Sequence, residues 1–148
     1  MSELDRRVAA AQMTYDEFYS RPFVIGKSDC ASLAKWHARK IGCPFKTGKP
    51  VGAYTTALGM KRALARLGCK RVGDICDKQK GWLAIPPASA WPGDIIEIEG
   101  EDGPGGIGTL CIVLTNGRVC SYHSDAPEGA RALQVHEYRR AWRLPVKS

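Results

Sequence analysis

The chain has no apolar run approaching the ~20 residues that a helix needs to cross a bilayer, so no transmembrane helix is expected. Its opening, Met1-Ser2-Glu3-Leu4-Asp5-Arg6-Arg7, has no apolar core behind its charges, which argues against Sec-type export. No Cys-x-x-Cys pair occurs among the six cysteines. A zinc or iron–sulfur centre would need ligands gathered from distant segments, and neither a metal nor another cofactor is expected. Internal repeats and low-complexity tracts are missing, and Gly103-Pro104-Gly105-Gly106 lacks the lysine, hydroxyl residue and following helix of a phosphate loop. The chain holds only three histidines, His37, His123 and His136, with none between the first two. That gap limits which proton-transfer chemistry is open to it.

What is there fits one domain spanning 1–148, long enough to bury a core without staples. Hydrophobic residues make up 44% and charged residues 25%, the balance of an ordinary globular chain. Cys30, Cys43, Cys69, Cys76, Cys111 and Cys120 are expected as free thiols in a reducing compartment. The net charge of +7 permits acidic partners, but the basic residues are scattered without interleaved aromatics. They describe a solvated surface, and nucleic acid is not the expected partner.

Helical signals fill the first half. Leu4, Val8, Ala11, Tyr15 and Phe18 follow one helical face behind a Ser2 cap, with Pro22 beyond the end. Thr14-Tyr15-Asp16-Glu17 offers an alternative capping box for a second short helix. Ala31 to Ile41 runs helically to Gly42, and a third helix opens at Thr55 or Thr56 and stops at Gly68, with Lys61, Arg62 and Arg66 facing water. Between them, Cys43 to Ala53 reads as a surface loop. After Pro86-Pro87 the period becomes extended. Strands are expected over 94–99, 110–114 and 118–123, the last two joined by a two-residue Asn116-Gly117 turn, with 133–135 and 141–144 completing the sheet. Helices followed by an antiparallel sheet define an α+β domain.

The chemistry concentrates in Arg21-Pro22-Phe23-Val24-Ile25-Gly26-Lys27-Ser28-Asp29-Cys30. Pro22 and Gly26 punctuate an extended entry, Ser28 or Asp29 can cap a helix, and Cys30 falls in its first turn. Free N–H groups and the helix dipole there would favour thiolate over thiol, the requirement for a nucleophile. The alternative is that Cys30 is a small core residue on an inner face shared with Leu33, Ala34, His37 and Ile41. His37 lies two turns further along, ~10 Å by helical rise, too far for direct proton transfer. Asp29 and Asp94 suit caps or turn acceptors as well as catalytic acids, Tyr54 and Tyr122 suit either a groove or the core, and His136 reads as an exposed strand residue.

Phe23-x-x-Gly26-x-x-Asp29-Cys30 before a helix, Trp91-Pro92-Gly93-Asp94 entering a strand, and Gly108 to Leu114 before the Asn116-Gly117 turn resemble the NlpC-type cysteine peptidases of papain-like fold. The resemblance covers roughly 21 to 143. It implies N-terminal helices packed on an antiparallel sheet, Cys30 as nucleophile and peptidoglycan as substrate. The Arg21-Pro22-Phe23 opening and the Ala141-Trp142-Arg143 close are similar to proteins encoded among phage and prophage tail genes, which implies a virion location at the tail tip, tail-hub partners and synthesis in the host cytoplasm.

Counting back from Asn116-Gly117, the family's general-base histidine falls at Thr109. Threonine cannot take a proton from a thiol at neutral pH. The family's third polar residue falls near Ser121, and His123, expected on the same strand face, is the candidate replacement base. The expectation is therefore a structural tail-tip protein with a degenerate peptidase fold; the alternative is an active endopeptidase using Cys30 with His123.

Overall fold

A computed structural model describes residues 1–48 and 53–146. Four helices come first: α1 (Glu3–Phe18), α2 (Cys30–Ile41), α3 (Ala57–Arg66) and the short α4 (Gly73–Asp77). Six strands follow, β1 (Leu83–Ile85), β2 (Ile95–Ile98), β3 (Thr109–Val113), β4 (Val119–Ser121), β5 (Arg131–Leu133) and β6 (Arg140–Arg143). Every pairing between them is antiparallel, in the order β1-β6-β2-β3-β4-β5. This is the expected α+β architecture. No helix among the described residues is long and apolar enough to cross a membrane.

The helix starts follow local chemistry. Ser2 Oγ accepts from Asp5 N at 3.1 Å while Asp5 Oδ2 accepts from Ser2 N at 3.2 Å, so two orphan donors of α1 are satisfied together. Thr56 caps α3 in the same manner, its Oγ1 taking Gly59 N at 3.0 Å. Gly42 ends α2 at φ 90°, where a side chain would be strained.

Burial on the sheet alternates with strand period. Ile95, Leu110, Ile112, Cys120 and Trp142 pack toward α1 and α2; Ile96, Cys111, Val113, Val119 and Ala141 form a second buried layer behind. Both faces are covered, which explains why β3 reads as a nearly continuous apolar run.

Several expectations need correction. α1 continues unbroken to Phe18, because Thr14 Oγ1 donates to Ala10 O at 2.8 Å within the helix instead of capping a new one. Its buried face is Arg7, Ala10, Ala11, Thr14 and Phe18, whereas Leu4 is exposed. Arg7 can be buried because its Nη2 donates to Leu144 O at 2.7 Å and its Nη1 lies 3.4 Å from Asp94 Oδ1. The turn after β3 holds three residues, Thr115 to Gly117, closed by Leu114 N donating to Arg118 O at 2.8 Å; Asn116 and Gly117 supply its two positive φ values. α4 and β1 were not foreseen, and β6 inserts between β1 and β2. Of the expected surface loop after α2, 49–52 lie outside the described residues, but Cys43, Phe45 and Thr47 are buried, with Trp82 Nε1 donating to Cys43 Sγ at 3.1 Å.

Candidate functional site

The segment before α2 folds into a tight hairpin. Val24 N donates to Ser28 O at 3.0 Å and Ser28 N returns to Val24 O at 2.9 Å, with Gly26 at φ 87° making the turn. Asp29 then caps α2: its Oδ1 accepts from Ser32 N at 3.0 Å and its Oδ2 from Gly26 N at 2.8 Å. One carboxylate thus ties the hairpin to the helix start, and the buried Asp29 serves as a structural acceptor for both. All six cysteines are buried free thiols.

Cys30 is the first residue of α2 and opens on a cleft of about 380 Å³. The cleft brings Thr109 and His123, distant in sequence, to the Asp29-Cys30 pair, and adds Phe23, Ile25, Met60, Ile107 and Tyr122 as apolar wall. Within this cleft the expected lowering of the Cys30 thiol is reversed. Burial, followed by the charge of Asp29, pushes its pKa up to about 12, and the backbone N–H groups of Leu110 and Cys30 offset only part of this. Desolvation outweighs these backbone bonds, so the thiol stays protonated at neutral pH.

Thr109 opens β3, pairing with Ile98. On its other side β3 pairs with β4 in the register Ile112↔Cys120 and Val113↔Val119. Continuing that register carries Thr109 to His123. β4 itself ends at Ser121, so His123 lies just past the strand instead of on it. Ser121 is buried and turned away from the cleft, its Oγ donating to Tyr122 O at 3.2 Å. The His123 ring is 38% exposed, with Nε2 3.3 Å from Glu101 Oε1 and Nδ1 accepting from Asp125 N at 3.1 Å. Glu101 also accepts from the backbone N–H and hydroxyl of Ser124, and that hydroxyl is the main reason its carboxyl titrates below the usual range. Glu101 was missed in the sequence because it sits beside a glycine-rich connection 22 positions from its partner, with no spacing signal between them.

The remaining candidates resolve as structure. His37 is fully buried between Thr14 Oγ1 at 2.9 Å and the Gly93 carbonyl at 2.7 Å, outside the cleft lining. Asp94 is buried and accepts from Trp91 N at 2.8 Å and Arg143 Nη2 at 2.9 Å. Tyr122 lines the cleft and donates to Arg21 O at 2.9 Å, whereas Tyr54 is a core residue. His136 is exposed, as expected, but falls beyond β5 instead of within a strand. Among the described residues, no group of His, Cys, Asp and Glu is placed to hold a metal.

No curated protein matches the sequence. Solved structures do match in fold. The peptidoglycan hydrolase RipB of Mycobacterium tuberculosis superposes with TM-score 0.61 at 15% identity, covering 98% of this chain and 67% of that one. The P60 domain of antigen MAP1204 from M. avium subspecies paratuberculosis gives 0.61 at 14%, covering 97% and 98%. NlpC1 of Trichomonas vaginalis gives 0.60 at 17%, covering 97% and 45%. The fold is thus that of NlpC/P60 domains. At the level of sequence, residues 3–144 match the family described as "Domain of unknown function (DUF6950)", and the chain belongs to that family.

Proposed function

We propose that the chain is a structural protein of a phage or prophage tail tip, built on an NlpC-type peptidase fold that no longer cleaves peptide bonds. The observation that carries the loss of activity is Cys30: its thiol is buried and held protonated, and Thr109, where the family resemblance would put a base, lines the same cleft. Peptide cleavage needs a thiolate to attack and a positioned acid to protonate the leaving amine. Thr109 supplies neither, and losing a general acid–base group costs about a hundredfold to ten-thousandfold in rate. The tail-tip part of the reading rests on the Arg21-Pro22-Phe23 opening and Ala141-Trp142-Arg143 close. Its partners in this reading are other tail-tip or hub proteins, with peptidoglycan met at the host surface.

A specific observation favours a second reading, a live peptidoglycan endopeptidase. His123 opens on the same cleft as Cys30 and Thr109, and Glu101 could orient its ring as the third member of a rearranged triad. Incubating defined stem peptides with wild type, Cys30→Ala and His123→Ala separates the two. Equal, negligible cleavage by all three is expected; turnover abolished by both substitutions would establish the endopeptidase. For the location, mass spectrometry of purified particles should find the chain at low copy number, and its confinement to infected-cell lysate would sink the tail-tip assignment.

A further inference from the structure

The charge of the cleft runs against the charge of the chain. Lysine and arginine outnumber aspartate and glutamate 22 to 15. Yet among the described residues none lining the cleft is a lysine or arginine, while Asp29, Glu101 and Asp102 are all carboxylates. Asp29 is committed to the α2 cap, so its charge acts as a fixed negative background. Glu101 and Asp102 stand exposed at the rim and are held in place, Glu101 by Ser124 and His123, Asp102 by accepting from Ile107 N at 3.2 Å. A carboxylate has about four acceptor positions, so both keep capacity for an incoming donor.

The wall is apolar. Phe23 and Ile25 face it from the hairpin, Met60 from α3 and Ile107 from the connection between β2 and β3. Phe23 remains 44% exposed, a large aromatic surface left for an occupant to cover. The volume, about 380 Å³, falls in the range of ligand clefts.

We infer that the cleft is a docking groove for a segment of a partner protein in which apolar side chains are flanked by lysine or arginine. The apolar side chains would enter between Phe23 and Met60 while the cations meet Glu101 and Asp102, leaving complementary charges on the two partners. A muropeptide stem, itself rich in carboxylates, would meet like charge at this rim. The inference rests on the non-cleaving reading, since a segment that was cut would not stay docked.

The test uses fluorescence anisotropy on the full chain with three labelled, end-capped peptides: Lys-Phe-Leu-Lys-Ala, its acidic twin Glu-Phe-Leu-Glu-Ala and its polar twin Lys-Ser-Ser-Lys-Ala. The first should bind at least about tenfold tighter than either twin. That advantage should shrink at high salt and fall about tenfold in Glu101→Gln/Asp102→Asn, changes at exposed positions that leave the core alone. Phe23→Ser should weaken it independently. Equal affinity for the three peptides, indifference to both variants, or preferential binding of a purified muropeptide would overturn the docking inference. Mass spectrometry of the recovered peptide separates the two layers. A bound peptide recovered intact supports both, a bound peptide that is cut removes the non-cleaving reading and the docking inference with it, and an intact peptide that never binds removes the groove alone.

Discussion

At His37 both ring nitrogens have partners inside the core. The Gly93 carbonyl can only accept, so Nε2 donates to it at 2.7 Å, and Nδ1 lies 2.9 Å from Thr14 Oγ1, whose own proton goes to Ala10 O. Burial is the largest effect on the ring and lowers its pKa from 6.5 to about 4. The folded state therefore resists a proton that the unfolded chain accepts below pH 6.5. The stabilisation is complete above that pH and is lost as pH falls toward 4, by about 3 kcal/mol in all. Denaturant unfolding at pH 7.5 and 4.5 should show a loss of this order, and His37→Gln should flatten the dependence; an unchanged slope in that variant would assign the acid sensitivity elsewhere. The helical spacing of Cys30, Leu33, Ala34, His37 and Ile41 put His37 on the inner face, and all five are indeed buried. What spacing could not supply was the partner from the Gly93 turn, 56 positions away. The same distance problem hid the Arg7 contact with Asp94 and made α1 read as an apolar face through Leu4.

Elements with strong local signals were legible to within a residue or two. The Asp29 cap, the Gly42 stop and the Thr56 start depend on neighbours three or four positions apart, the range over which sequence patterns act directly. α4 was not legible, because five residues opened by a glycine and lacking a side-chain cap carry no helical period. β1, three residues long, likewise offers no alternation to detect, and β5 runs Arg131–Leu133 where a strand over 133–135 was expected. The start of α2 carries the next prediction. Asp29→Ala removes the acceptor of both Ser32 N and Gly26 N, so it should cost about 1–2 kcal/mol and lower the melting temperature by about 2–8 °C. Scanning calorimetry checks this. A loss below about 0.5 kcal/mol would mean that packing of Leu33 and Ala34 alone sets the helix start.

Across the whole molecule, the order of the strands was beyond the sequence reading. β6 lies between β1 and β2 because Arg140 and Arg143 find buried carboxylates there. Arg140 makes paired bonds to Glu97 at 2.8 and 2.9 Å, and Arg143 reaches Asp94 at 2.9 Å. Asp94 also faces Arg7, so a single buried carboxylate joins α1 and β6 at the entry to β2. Asp94→Ala leaves Arg7 buried beside an empty position and should cost about 3–5 kcal/mol, measured by urea unfolding. A cost below about 1 kcal/mol would show that these ion pairs follow the strand order instead of securing it. The α+β class and the meeting of Cys30 with Thr109 were legible because they follow from motifs; the acidic rim was not, since it depends on which loops converge.

The central claim is that the fold holds Cys30, at the start of α2, as a protonated thiol without a working base. Measuring the rate of iodoacetamide alkylation of Cys30 against pH, by mass spectrometry of its peptide, tests this most directly. A pKa of about 12 in place of 9.0 predicts a thiolate population about a thousandfold below that of an ordinary cysteine at pH 7, with a rate that climbs about tenfold per pH unit past pH 10. A fast reaction that levels off near neutral pH and slows in His123→Ala would contradict the account and make Cys30–His123 a working pair.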